Sequence, residues 1–266
     1  MSGRPHPDGA IAFLIEDISA EISLTRNYRA ELEMMQGDAR DNNRSYMGAW
    51  MYRCHPQNKR LVGLVRDGCI GELQHIQAAF SFAAPFDSAG RLWNKDLGGG
   101  GILDVGGYPL SYARLLAGVA RNAGFADPET MAGVGVLHPE TGVDIRATAV
   151  LQFDGGLTAE IACGLVSHQQ NVVRVYGSEG WILVPSPYVV RVDAGLTELH
   201  VHRGGESEPE IVTITADRGV YAYEADVFAE AVAADTLEVS ACPWADTHGN
   251  LGGQLKWCRQ LGLTYV

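Results

Sequence analysis

Lysine is scarce in this 266-residue chain, present only at Lys59, Lys95 and Lys256. Together with arginine it makes 20 basic residues against 32 acidic ones, a formal charge of -12. A surface of that sign repels phosphate backbones and anionic lipid heads, which argues against nucleic acid and membranes as partners. Long apolar runs are missing too. The run at 10–15 falls far short of the roughly 20 residues that span a bilayer, and residues 1–9 lack the basic-then-apolar order of a signal peptide. The expectation is a cytoplasmic protein, in which the Asn43-Arg44-Ser45 sequon is a chance match. Cysteine is limited to five residues, an odd count with no C-x-x-C, which favours a reducing compartment. There is no G-x-S-x-G elbow, no H-E-x-x-H and no phosphate loop ending in Gly-Lys-Ser or Gly-Lys-Thr.

What is present fits a globular chain with an ordinary core, since 46% of the residues are hydrophobic and 20% charged. The first half favours helices. After Thr25, a plausible N-cap, residues 26–42 carry Leu32, Met35 and Ala39 on one face. A short strand is expected at 46–52, then a helix opened by His55-Pro56, with Leu61, Leu64 and Val65 inward and Gly68 as its stop. From 129 onward the period drops to two. Ile145, Ala147, Ala149, Leu151 and Phe153 alternate with polar residues, Asp154-Gly155-Gly156 reverses the chain, and Leu157, Ala159, Ile161, Cys163 and Leu165 alternate again, which reads as an antiparallel hairpin. Further strands are expected at 172–176, 181–184, 188–192, 196–202 and 211–215, followed by closing helices over 223–234 and through Leu255, Trp257, Cys258 and Leu261. The fold class is α+β, an open, mostly antiparallel sheet with helices on one face, leaving the other face to pair with a second copy.

The densest chemical signal runs from Leu97 through Gly98, Gly99, Gly100 and Gly101 to Asp104, Gly106, Gly107, Tyr108 and Pro109. Successive glycines permit close backbone approach, and Asp104 and Tyr108, four apart, share a helical face. A carboxylate beside a phenol can orient it toward a substrate hydroxyl, which makes the pair the candidate catalytic residues. The alternative is a helix N-terminus with a dipole-matching Asp and a core Tyr. Arg53 and His55, in Met51-Tyr52-Arg53-Cys54-His55-Pro56, are candidate substrate contacts, although His55 equally suits an N-cap. Arg91 and Trp93 precede the glycines and could cover a sugar or serve as an ordinary surface arginine and half-buried tryptophan. The Gly133-Val134-Gly135 run lacks the third glycine of a dinucleotide loop and reads as sheet. His200-Val201-His202 has no third ligand nearby, so no metal is expected.

Taken in order, several stretches resemble the Gfo/Idh/MocA oxidoreductases, a family that includes glucose-fructose oxidoreductase, inositol dehydrogenases and dihydrodiol dehydrogenases. They are residues 49–57 (AWMYRCHPQ), Gly71-Glu72-Leu73 with the Phe80-Ser81-Phe82 strand, the glycine block with Asp104 and Tyr108, residues 175–180 (VYGSEG), and Glu224-Ala225-Asp226 with Cys242-Pro243-Trp244. The resemblance covers residues 25–266. It implies the family's C-terminal substrate and dimerisation domain, a sugar or cyclitol substrate, a homodimer through the sheet face, and NAD(P) as the family's hydride carrier.

Three departures accompany it. Fewer than thirty residues precede the matched region, against the hundred or so of a Rossmann domain, so residues 1–24 read as a remnant or unrelated segment and no cofactor is expected on this chain itself. The family's E-K-P motif, whose lysine helps move the hydroxyl proton, aligns with Glu21-Ile22-Ser23-Leu24, which puts Ile22 at the lysine position. Gly48 stands where the family usually has Glu. The resulting expectation is a sugar-oxidoreductase relative that is redox-inactive as an isolated chain. The alternatives are a redox-independent acid-base enzyme, a sugar-binding or dimerising scaffold, or a chain whose Rossmann half another polypeptide supplies.

Overall fold

The computed structural model describes residues 28–263 and 265. Thr25, Ile22 and the 1–24 segment lie outside them. Helix α1 (Tyr28–Asp41) buries Leu32, Gln36 and Ala39 and rests on the last helix. Met35, expected inward, is 42% exposed, because Gln36 turns in to meet the His248 ring, with Oε1 2.6 Å from Nε2. Helix α2 (Pro56–Arg66) begins with Pro at its first position, buries Leu61, Leu64 and Val65 as expected, and is followed by Gly68 at φ +71°.

Eight strands form one sheet: β1 (Leu73–Ser81), β2 (Thr130–Leu137), β3 (Asp144–Gln152), β4 (Thr158–Gly164), β5 (Val173–Gly177), β6 (Gly180–Val184), β7 (Gly195–Arg203) and β8 (Glu210–Ala216). Their spatial order is β2-β3-β4-β1-β5-β6-β7-β8. The β3–β4 hairpin pairs Gln152 with Thr158 across the turn, and each pairing along the sheet is antiparallel except β1 with β4. The sheet is therefore open and mostly antiparallel, and β1, far earlier in sequence, is its middle strand.

Helix α3 (Gly107–Val119) covers β1 and β4, and α5 (Trp244–Gln260) lies beside it over β2. Helix α2 covers β7 and β8, whereas α4 (Val220–Ala233) packs on the 46–55 segment. The inward faces of the strands, such as Ala147, Ala149 and Leu151 on β3, close the core against Leu110, Leu116 and Trp257. The outward face carries Val134, Val150, Leu196 and Ile211, which are 72%, 54%, 59% and 45% exposed. No helix of the described residues is long and apolar enough to cross a membrane, and all five cysteines are free thiols.

Two expected strands are absent. At 46–52 Tyr46 makes a single bridge to Glu238, and Met51–Cys54 is a 3-10 turn with all four side chains buried, a pattern no half-buried strand can give. At 188–192 the alternation is real, since Tyr188 and Val190 are buried while Val189 and Val192 are exposed. That segment lies over the sheet instead of within it, where Tyr188 stacks on Phe80 at 4.6 Å.

Candidate active site

The glycine block enters α3 through a widened turn. Residues Ile102–Gly106 form a π-helix before the α-helix begins at Gly107. Side chains from α5 hold this turn: Gln254 Nε2 donates to Ile102 O at 2.8 Å and Asn250 Nδ2 to Gly107 O at 3.2 Å. Inserted side chains of this kind draw carbonyls out of the regular ladder, and such turns recur at functional sites.

Below the turn, Asp144 of β3 is fully buried and accepts Ile102 N–H on Oδ2 at 2.8 Å. Gly100 sits at φ +112°, and a Cβ there would meet Asp144 Oδ1 at 2.3 Å, so both its backbone angle and this carboxylate require glycine. Burial pushes the Asp144 carboxyl up to about 6, opposed by the N–H groups of Ile102 and Gly101. The helix start is thus already filled by a carboxylate. A dinucleotide pyrophosphate does not fit there, because it would place a second anion on the same N–H groups.

Asp104 faces outward from the turn and pairs with Arg91, Nη2 to Oδ1 at 2.5 Å, with the arginine half exposed and the aspartate mostly covered. One turn on, the Tyr108 ring is walled by Trp50 (4.8 Å, edge-on), Phe80 (5.3 Å) and Tyr188 (5.7 Å). Its hydroxyl donates to the Met51 thioether at 3.6 Å, a weak acceptor. Burial raises the Tyr108 pKa, and the nearby Tyr221, Asp104 and Glu224 raise it further. The phenol therefore holds its proton and suits an acid better than a base.

Sequence reasoning assigned no role to Glu224 or Tyr221. Glu224, on α4, has a buried Oε1 without a hydrogen-bond partner among the described residues, and burial pushes its carboxyl up to about 7. Tyr221, on the preceding turn, is half exposed. The signal available was Glu224 within the 224–226 match, but nothing in the linear chain brings α4 to α3.

Arg53 and His55 sit deeper than a substrate contact requires. Arg53 donates to Asp246 Oδ2 at 2.9 Å and Ser111 Oγ at 3.3 Å, with both members of the ion pair buried. Its guanidinium thereby ties the 3-10 turn to α5. His55 takes the capping alternative: Nδ1 accepts Gln57 N–H at 3.1 Å, and the ring meets Tyr223 edge-on. Burial lowers its pKa to about 4, which keeps it neutral near pH 7. Trp93 is also structural, 3% exposed and donating to Pro85 O at 2.8 Å.

Of the residues singled out in the sequence, Asp104, Tyr108 and Arg91 come together, and Glu224 and Tyr221 join them from α4. Residues 59–183 match the family model described as GFO/IDH/MocA C-terminal domain. Over these residues the chain resembles the C-terminal domain of the Gfo/Idh/MocA family.

Among its relatives are trans-1,2-dihydrobenzene-1,2-diol dehydrogenase of Mus musculus, 31% identical over 57% of this chain and 43% of that protein, and D-xylose 1-dehydrogenase (NADP(+)) 2 of Haloferax volcanii, 29% identical over 70% and 53%. The chain spans about half the length of these curated relatives. In fold it is similar to a 3-ketoreductase from Actinomadura kijaniata solved with NADP and TDP-benzene (TM-score 0.73, 23% identity, 84% of this chain and 64% of that one). It is also similar to an aldose-aldose oxidoreductase from Caulobacter crescentus solved with glycerol (TM-score 0.74, 21% identity, 90% and 69%). The matched residues 59–183 contain strands β1 to β5 and the turn that carries Asp104 and Tyr108.

Proposed function

We propose that this Gfo/Idh/MocA chain forms the substrate side of a sugar or cyclitol oxidoreductase and, taken alone, binds a sugar-like polyol without transferring hydride. The observation that carries this reading is the Tyr108 phenol, bonded among the described residues to no better acceptor than a thioether and flanked by Asp104 and Glu224. A substrate hydroxyl or carbonyl oxygen is a stronger partner than sulfur, so Tyr108 donates to it, and Asp104 with Arg91 binds the neighbouring hydroxyl. The named activities of the relatives, on diols, xylose and nucleotide-linked ketosugars, support a polyhydroxylated substrate. The filled helix start at Asp144 supports the absence of a nicotinamide site on the described domain.

Glu224 favours a second reading, acid-base chemistry without redox. With its pKa near 7, Glu224 takes the proton from the carbon beside a ketosugar carbonyl, Tyr108 donates to the carbonyl oxygen, and reversal returns a solvent-derived proton to carbon. The free thiols support a reducing, cytoplasmic setting, and the apolar outer sheet face supports a homodimer.

Two measurements test this. Calorimetric titration is expected to show polyol binding that Tyr108→Phe weakens and no binding of NAD(H) or NADP(H). Micromolar cofactor affinity overturns the reading. Deuterium exchange into ketosugars, followed by NMR, is expected to fall in Tyr108→Phe and Glu224→Gln, and equal exchange in parent and variants removes the acid-base step.

A further inference from the structure

Asp144 lies beneath the carboxylate–phenol cluster, and the backbone that carries the cluster is built on it. Its Oδ2 accepts Ile102 N–H at 2.8 Å, and Gly101 N–H is bonded to the same carboxylate. Gly100, pressed against Oδ1, then branches to both halves of the Arg91–Asp104 pair. Its N–H donates to Leu92 O, next to Arg91, at 2.9 Å, and its carbonyl accepts Asp104 N–H at 3.1 Å. Tyr265 Oη donates to Gly99 O at 2.6 Å and holds the residue before.

Little else competes for the carboxylate. It is fully buried, and Oδ1 has no hydrogen-bond partner among the described residues. The titratable groups facing it are Asp104 on the π-turn, Cys163 on β4, Cys258 on α5 and Tyr265 beyond α5, none of them a cation. Its charge is therefore met by backbone N–H groups, which a charged acceptor holds about twice as strongly as a neutral one. We propose that Asp144 is the positioning residue of the carboxylate–phenol site: its charge holds the π-turn in the shape that aims Asp104 and Tyr108 at one ligand, and its protonation slackens that turn and weakens polyol binding.

The polyol as ligand rests on the function proposed above; the coupling of Asp144 to the turn does not. Burial pushes the Asp144 carboxyl up to about 6, so affinity is expected to fall as pH drops through that value. Glu224 titrates beside Tyr108 as well, near 7, but it stays in place in Asp144→Asn, so the difference between the two pH profiles reads Asp144 alone. Asn keeps the size of Asp and an oxygen that accepts Ile102 N–H, so the variant stands for the uncharged state at every pH. Binding and protonation are also reciprocal: a ligand that prefers the charged carboxylate lowers its midpoint.

The test follows the full chain by NMR, with labelled aspartate carboxyl carbons and tyrosine rings, titrated with D-xylose at pH values from about 8 to about 5. In the parent, D-xylose affinity is expected to weaken roughly threefold or more across that range, and saturating D-xylose to lower the Asp144 midpoint. The second measurement needs no variant. In Asp144→Asn the affinity is expected to stay near the parent's acid value, with only the Glu224 step left in its pH profile. Matching profiles in the parent and Asp144→Asn, or an Asp144 midpoint unmoved by saturating D-xylose, overturn the proposal. A parent that binds no D-xylose at any pH removes the polyol reading instead, and the Tyr108 ring signal then decides. A step in that signal that follows Asp144 and vanishes in Asp144→Asn upholds the positioning role, and its absence overturns it.

Discussion

Arg91 Nη2 lies 2.5 Å from Asp104 Oδ1, so a loop arginine clamps the carboxylate that opens the third helix. Because the guanidinium is half exposed, solvent screens the pair, and Arg91→Ala is expected to cost less than about 1 kcal/mol of stability. Its effect belongs to the ligand. Polyol affinity is expected to fall roughly tenfold in Arg91→Ala while urea denaturation stays near the parent curve. A large stability loss with unchanged affinity would assign the pair to folding instead.

The opposite outcome is expected at Asp246. Its carboxylate takes Arg53 on one oxygen and Arg114 on the other, and Arg114 is fully buried. Asp246→Ala leaves two buried guanidinium groups undercompensated, with Asp127 the other acidic partner of Arg114, and is expected to destabilise by about 3–5 kcal/mol. Equilibrium urea unfolding reads this directly, and a change below about 1 kcal/mol would show that water reaches the network.

Three shifted groups fix a pH signature. Glu224 and Asp144 have folded-state pKa values raised by burial, to about 7 and about 6, so each binds its proton more tightly folded than unfolded. Their contribution to stability is complete below the ordinary carboxyl range and is lost as pH rises through about 6 and 7. His55 has the opposite sign: its folded pKa is lowered to about 4, so its contribution is complete above 6.5 and is lost as pH falls from there toward 4. Asp144→Asn is therefore expected to steepen the acid loss of melting temperature between pH 6.5 and 4, and His55→Asn, which keeps an N-cap acceptor, to flatten it. Identical pH profiles in parent and variants would contradict the assignment.

The outer sheet face is expected to pair two copies. Trp181 stacks on His202 at 3.7 Å, Tyr176 follows at 6.3 Å, and exposed Val150 and Leu196 extend the surface on either side. Sedimentation equilibrium at micromolar concentration is expected to give a dimer that Trp181→Glu or Val150→Arg converts to monomer. A monomeric parent refutes the dimer.

Much of the architecture was legible in the linear chain because it rests on local periodicity. Alternation over 144–153 and 157–165, broken by Asp154-Gly155-Gly156, suffices for the β3–β4 hairpin, and His55-Pro56 with Gly68 bounds α2. The four-residue spacing of Asp104 and Tyr108 likewise put both near one face of a helix, though the π-turn between them carries no local signal, since its cause is Gln254 and Asn250 on α5. Alternation also misled at 188–192, where one face is buried under the same rule without any strand pairing.

The sequence by itself determined the class of fold and the carboxylate–phenol pair, because turn chemistry, capping and side-chain period act over a few neighbouring residues. Only the tertiary structure decided that β1 slots between β4 and β5, parallel to the first and antiparallel to the second, that Arg53 is spent on Asp246, and that Glu224 comes up to Tyr108. Each of these joins residues many tens of positions apart. Such contacts form when the whole apolar surface is buried together, and burial also sets which carboxylates keep a proton near neutral pH.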